Sequence, residues 1–242
     1  MTNGIAELSQ RKIALIAGFS YLIIFITGIF ANFIVLQSLI ASGDAAATLN
    51  NIVGSELLFR VGILSFILMV IFDVVVAWAL YLVFSPVNRN LSLCAAWFRL
   101  LNSAVFGIAL FNLFGVLQMI SGADYLQAFQ TGQVEAQVML FLDNFNYTWL
   151  VGLVFFGIHL LVLGYLIFKS GFIPGIVGIL LIIAAFGYLV DSSANFLLPN
   201  YTDYQTIFML IVVVPGIIGE LSLTFWLLFR GGKIPEVRLV AE

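Results

Sequence analysis

The chain has 242 residues, of which 63% are hydrophobic and only 9% are charged, and its mean hydropathy is +1.17. Soluble domains average about 25% charged residues, so the composition indicates an integral membrane protein. The net charge of −3 comes without any basic run, which argues against nucleic acid as a partner. A single cysteine, Cys94, excludes an intramolecular disulfide and a multi-cysteine metal site.

Long apolar segments predict an all-α bundle of six transmembrane helices in one integral membrane domain, residues 1–242. A helix needs about 20 apolar residues to cross the hydrocarbon core. The segments that meet this length are residues 13–40, 57–84, 91–120, 147–168, 172–191 and 206–229. The first is too long for the apolar part of a signal peptide, about 7–15 residues, so we expect it to be a retained helix.

The connections carry further structure. Residues 41–51 contain Gly43 and Asp44, which mark a loop with room for a short helical turn. In the long connection 121–146, apolar residues recur at helical spacing, which predicts one or two short helices at the membrane interface.

In the sixth span, Pro215 should leave a carbonyl unpaired and kink the helix.

The cations near the span ends predict the orientation. The loops 41–55, 121–146 and 195–205 contain no Lys or Arg. Cations concentrate on the cytoplasmic side of membrane proteins, which places both termini in the cytoplasm and the protein in the plasma or inner membrane. The cations that define this side are Arg11, Lys12, Arg89, Lys169, Arg230, Lys233 and Arg238.

Four ionisable residues lie at one depth inside the spans. At about 1.5 Å per residue from the cytoplasmic ends, Asp73 is about 16 Å deep and Arg99 about 12 Å. His159 and Glu220 are each about 13 Å deep by the same count. These depths are close to the middle of a core about 30 Å thick. Tyr21 reaches the same level, and Asn102 lies on the same span as Arg99.

A charge at this depth is unfavourable unless it faces the protein interior and finds a partner. Asp73 and Arg99, on consecutive antiparallel spans, are the expected pair, either as a structural ion pair or as part of a cavity for a small ligand, proton or ion. His159 alone could be a neutral imidazole bonded to a neighbouring helix. A second group at the outer face comprises Glu56, Arg60 and Asp191, which we expect to be solvated, with a gate to the inner layer as the alternative.

No cofactor or metal site is expected. With one His and one Cys, a zinc site would depend on an oxygen-rich set of ligands, and the sequence has no G-x-S-x-G, P-loop, GxGxxG or CxxC motif. Three hypotheses stay open: a small-ligand or ion binding or transport protein, an intramembrane enzyme on a lipid-like substrate with His159 as base, and a structural or regulatory subunit whose partner docks on residues 121–146. The lipid bilayer is the partner common to all three.

Six sequence segments, in order and spacing, carry a family resemblance. They are GDAAAT at Gly43–Thr48, SELLFR at Ser55–Arg60, SPVNRNL at Ser85–Leu91, WFRLLN at Trp97–Asn102, GLVFFGIHLLVLGYLIFKSGFIP at Gly152–Pro174 and GYLVDS at Gly187–Ser192. This pattern resembles the bacterial membrane family catalogued as domain of unknown function 4386, over residues 11–230. The resemblance implies a six-helix protein of the bacterial inner membrane and brings no known activity. Gly175 departs from the family pattern, which has arginine there.

Overall fold

The computed structural model describes residues 9–231, and within them every regular element is helical. Seven helices are present, and six of them are long and apolar enough to cross a membrane, which confirms the all-α prediction with six spans. The helices are α1 (Gln10–Leu39), α2 (Ala45–Gly54), α3 (Glu56–Phe84), α4 (Arg89–Met119), α5 (Thr131–Ser170), α6 (Gly175–Leu197) and α7 (Gln205–Arg230). The predicted orientation of these helices stays a prediction.

The predicted turn in the first loop is a ten-residue helix, α2. It begins after Asp44, whose side chain accepts a hydrogen bond from the backbone N–H of Ala47 at 2.8 Å. A carboxylate in this position satisfies one of the free N–H groups of the first turn and complements the helix dipole. The local sequence therefore sets the start of α2.

The prediction of separate interfacial helices in residues 121–146 is wrong in its main part. Asp124–Ala128 forms one short 3-10 turn, but the residues from Thr131 onward belong to α5, a single helix of 40 residues. The helical spacing of these residues is confirmed, but no break separates them from the fourth span. At about 1.5 Å per residue α5 is about 60 Å long, twice the thickness of a hydrocarbon core.

Helix α6 ends later than its predicted span, whereas α7 matches the predicted sixth span to within one residue at each end. Helix α6 continues to Leu197, so Asp191 lies within it and not at its end.

Helix α7 runs from Gln205 to Arg230 with Pro215 inside it, and the predicted kink stays a prediction. Proline has no N–H for the carbonyl four residues earlier, that of Ile211. Gly187 of α6 lies against this carbonyl, where an added Cβ would come within 2.7 Å of the oxygen.

The described residues form two compact units. The first comprises residues 9–22, 73–102 and 153–231. In it α5 and α6 cross where Gly164 and Gly178 meet, since a Cβ on Gly164 would lie 2.7 Å from the Gly178 carbonyl oxygen. Small residues at such crossings let membrane helices approach closely. The first unit contains all the residues predicted for the inner layer.

The second unit comprises residues 23–72 and 103–152 and has an aromatic core. The rings of Phe106 and Trp149 are stacked with centroids 3.6 Å apart, and Phe66 meets Trp149 edge-on at 5.4 Å. Phe145 packs against both Phe66 and Trp149. Such ring pairs add about 0.5–1.5 kcal/mol each beyond their buried area. The aromatic core therefore stabilises the second unit by packing.

Candidate functional site

Arg99 of α4 is the centre of a buried polar layer. Its side chain is 1% exposed, and its guanidinium donates hydrogen bonds to side chains from three other helices. Nη1 donates to the Tyr21 hydroxyl at 3.0 Å and to His159 Nε2 at 3.1 Å, and Nη2 donates to Asp73 Oδ1. The predicted ion pair between Asp73 and Arg99 is therefore confirmed, and it joins α1, α3, α4 and α5 through one side chain.

Aromatic rings surround the same guanidinium. Cζ of Arg99 lies 4.8 Å from the ring centroid of Tyr21 and 5.4 Å from that of Phe156. A desolvated cation over an aromatic face gains about 2 kcal/mol or more. The cation is thus held both by its hydrogen bonds and by the electron-rich faces of two rings.

The contacts of His159 fix its protonation state. The guanidinium of Arg99 can only donate, so Nε2 of His159 must accept. The carbonyl of Ala95 can only accept, so Nδ1, at 2.8 Å, must carry the hydrogen and donate it. His159 is therefore a neutral imidazole bonded to a neighbouring helix, and both of its nitrogens are in use.

Asp73 is engaged through both carboxylate oxygens. Oδ1 accepts from Arg99, and Oδ2 accepts from the Asn102 amide nitrogen at 3.2 Å. Arg99 and Asn102 are three residues apart on α4 and so lie on one face of that helix. The amide oxygen of Asn102 is buried and has no hydrogen-bond partner within residues 9–231. The layer therefore keeps one unused acceptor beside the ion pair.

Glu220 of α7 is buried as well, and its surroundings differ from those of Asp73. Tyr188 of α6 donates a long hydrogen bond of 3.5 Å from its hydroxyl to Glu220 Oε1. The Thr224 hydroxyl donates a hydrogen bond to the backbone carbonyl of Glu220 and not to its carboxyl group. Glu220 lies in the same compact unit as Arg99 and Asp73, and among residues 9–231 it forms no ion pair.

The structure thus places all six predicted inner residues in one unit. Tyr21, Asp73, Asn102 and His159 form a continuous chain of hydrogen bonds through Arg99. Glu220 is connected to Arg99 through the rings of Tyr188 and Phe156. Within residues 9–231 no three His, Cys, Asp or Glu side chains are grouped as metal ligands. The chemistry available to this layer is charge compensation, hydrogen bonding and proton exchange.

The outer residues have local partners. Glu56 and Arg60 form an exposed pair one helical turn apart, with Arg60 Nη2 2.7 Å from Glu56 Oε1. Such a pair is worth about 0.3–0.5 kcal/mol, in keeping with a solvated role. The expectation that Asp191 is solvated is wrong, because it is only 8% exposed and accepts a hydrogen bond of 2.6 Å from the hydroxyl of Tyr201, in the turn before α7. Burial and this hydrogen bond raise the pKa of Tyr201 to about 12.

Sequence reasoning missed several partners in these sites. Tyr188 lies near Asp191 along the chain, but its hydroxyl meets Glu220. Its ring packs edge-on against Phe156 at 5.3 Å, so the two rings connect Arg99 and Glu220. The carbonyl of Ala95 and the hydroxyl of Tyr201 carry no sequence signal, because a backbone acceptor and a loop tyrosine have no distinguishing pattern.

The comparisons with known proteins agree with the resemblance noted in the sequence. The model of the family described as "Domain of unknown function (DUF4386)" matches residues 16–231. An uncharacterised protein of Archaeoglobus fulgidus is 31% identical over 175 residues, which is 72% of this chain and 86% of that protein. No solved structure matches the chain. The chain therefore belongs to the multi-pass membrane family of unknown function DUF4386.

Proposed function

We propose that this protein binds and releases a proton at Glu220, as a step in the transport of an ion or small ligand across the membrane. The observation that supports this is the charge balance of the buried layer. Arg99 is a permanent cation, Asp73 is its ion-pair partner, and His159 is neutral. Among residues 9–231, Glu220 is then a second carboxyl group in the layer without a second buried cation.

An ionised Glu220 would give the layer a net negative charge in a medium of low dielectric constant. Burying such a charge is strongly unfavourable, whereas a neutral carboxyl group is not. The free energy of the layer is therefore lowest when Glu220 carries a proton while its side chain faces the layer. It can give up that proton when it faces water or when a cationic ligand enters.

The immediate neighbours of Glu220 favour a proton over a metal ion. A metal cation needs several oxygen ligands at close range, whereas a carboxyl group holds a proton by itself. A single partner, the hydroxyl of Tyr188 at 3.5 Å, is enough for a protonated carboxyl group. The unused amide oxygen of Asn102 offers a second acceptor in the same layer for a water molecule or a polar ligand.

Helix α7 has the features of a moving part. Pro215 lies five residues before Glu220 and deprives Ile211 of its helical partner, which weakens the helix at that turn. The next residue, Gly216, faces the Tyr188 hydroxyl, where an added Cβ would lie 3.2 Å from the oxygen. A change of helix direction at this point would move Glu220 relative to Tyr188.

His159 is poorly suited to act as a catalytic base. Both of its nitrogens are in hydrogen bonds, to Arg99 and to the carbonyl of Ala95, so neither is free to take a proton from a substrate. The alternative of an intramembrane enzyme therefore gains no support from the geometry of this residue.

The test is proton flux into proteoliposomes that contain a pH-sensitive dye and carry an imposed membrane potential. With the potential negative inside, the wild-type protein should acidify the lumen faster than empty vesicles, and Glu220→Gln should reduce the rate to that of empty vesicles. Asp124→Asn is the matched control, because Asp124 is an exposed carboxylate in the 3-10 turn before α5.

Two results would count against the proposal. Equal flux in wild type and Glu220→Gln would show that Glu220 carries no transported proton. Flux that requires sodium and ignores the pH gradient would assign a metal ion to the site in place of a proton. The proton-driven flux and the sodium-dependent flux are measured in the same vesicles by exchanging the external sodium salt for a sodium-free salt.

A further inference from the structure

A cavity of about 680 Å³ lies where three spans end, separate from the polar layer. It is bounded by the end of α5, the loop that leads into α6 and the last turn of α7. Three of its eight lining residues are aromatic, and one, Arg230, is a cation at the rim. The residues that matter for its chemistry are Phe168, Phe172, Pro174, Gly175, Trp226 and Arg230.

The walls and the rim of this cavity differ in character. Phe172 packs against Trp226 with ring centroids 6.1 Å apart, which gives the cavity an apolar side. Arg230 is exposed, and no carboxylate within residues 9–231 lies at ion-pair distance from it. Lys169, in the last turn of α5, does not line the cavity, and its ammonium lies 5.8 Å from the ring centroid of Tyr165.

This combination has the chemistry of a lipid headgroup at a membrane surface. Tryptophan and basic residues are enriched where helices leave the hydrocarbon core, and arginine binds phosphate through planar, paired N–H groups. We propose that the cavity binds the phosphate headgroup of an anionic phospholipid, with Arg230 on the phosphate and the aromatic wall against the glycerol and upper acyl chains. The proposal does not depend on proton exchange at Glu220.

The experiment measures retention of phosphatidylglycerol by the full-length protein in mild detergent. Native mass spectrometry counts bound lipid as phosphatidylglycerol or phosphatidylcholine is added. Wild type should retain phosphatidylglycerol in preference to phosphatidylcholine. Arg230→Gln should weaken phosphatidylglycerol retention at least about tenfold, because one charged, bidentate contact is lost.

Two further variants separate the cavity from general surface charge. Arg89→Gln removes an exposed cation at the start of α4 that does not line the cavity, and it should retain lipid at the wild-type level. Gly175→Leu keeps every charge but fills the cavity; a Cβ at this position meets Phe168 at an ordinary 3.4 Å, so the variant should fold. It should lose phosphatidylglycerol as Arg230→Gln does.

Each contrary outcome overturns the proposal in a different way. Equal loss in Arg89→Gln and Arg230→Gln would assign retention to surface charge. Unchanged retention in Gly175→Leu would place the lipid outside the cavity. Displacement of phosphatidylglycerol by inorganic phosphate at comparable concentration would make this a phosphate site and not a lipid site. Size-exclusion profiles and unfolding midpoints of the variants confirm that they are folded.

Discussion

Replacing Asp73 and Arg99 separately should give unequal losses of stability. Removing one partner of a buried ion pair costs about 3–5 kcal/mol. Asp73→Asn leaves Arg99 with Glu220 as a second carboxyl group in the layer, so we expect the lower end, about 3 kcal/mol. Arg99→Gln leaves both carboxyl groups without a cation and removes the donors to Tyr21 and His159, so we expect about 5 kcal/mol.

The double variant Asp73→Asn/Arg99→Gln tests the coupling between the two residues. Since the pair is in direct contact, the double variant should recover about 2–3 kcal/mol of the summed losses, within the range of about 0.5–3 kcal/mol for residues that share a contact. The assay is a denaturant titration of purified protein in mild detergent. Glu56→Gln, which breaks an exposed pair, should lose only about 0.3–0.5 kcal/mol.

Two results of this titration would refute the reasoning. If Asp73→Asn were as destabilising as Arg99→Gln, Glu220 would not be acting as a second counter-charge. If the losses of the two single variants simply added in the double variant, the ion pair would contribute nothing beyond the separate side chains.

Three further predictions concern packing, hydrogen bonding and pH. Gly164→Ala should cost about 1–3 kcal/mol because its Cβ meets a carbonyl oxygen, whereas Gly107→Ala, with no atom in reach, should be neutral or stabilising in the same titration. His159→Leu should cost about 1–3 kcal/mol for each of the two polar groups it leaves unpaired, and His159→Gln should recover part of this loss. Tyr201→Phe should be less stable than wild type below pH 10.0; because the folded-state pKa of Tyr201 is raised to about 12, the difference should shrink as pH rises through that value. A difference that grows over this range would contradict the assignment of the Tyr201 hydrogen bond.

Much of the inner layer could be predicted by counting residues along helices. The rise of a helix is fixed, so Asp73, Arg99 and His159 could be placed at one depth without knowing how the helices pack. The opposite charges of Asp73 and Arg99 then predict that these two residues pair, because an isolated charge at that depth is unfavourable. Counting gives depth but not direction around the helix axis, and for that reason it could not show that Glu220 meets Tyr188 and has no ion pair.

The errors arose where helices continue beyond the apolar core. Residues 131–146 are polar enough to resemble an interfacial segment, yet they extend α5, because each residue added to a formed helix gains one hydrogen bond for the one residue that is fixed. Helix α6 extends past Asp191 for the same reason. Hydropathy marks the part of a helix that lies in lipid, and it carries no signal for the part beyond.

The most direct test of the proposed proton site is infrared spectroscopy of purified protein in H₂O and D₂O. We predict a C=O stretching band from a protonated carboxyl group that shifts on deuteration, is absent in Glu220→Gln and persists in Asp124→Asn, which removes an exposed carboxylate. This pattern would assign the exchangeable proton to Glu220. The same band in wild type and Glu220→Gln, at every pH at which both are folded, would contradict the charge balance on which the proposed function depends.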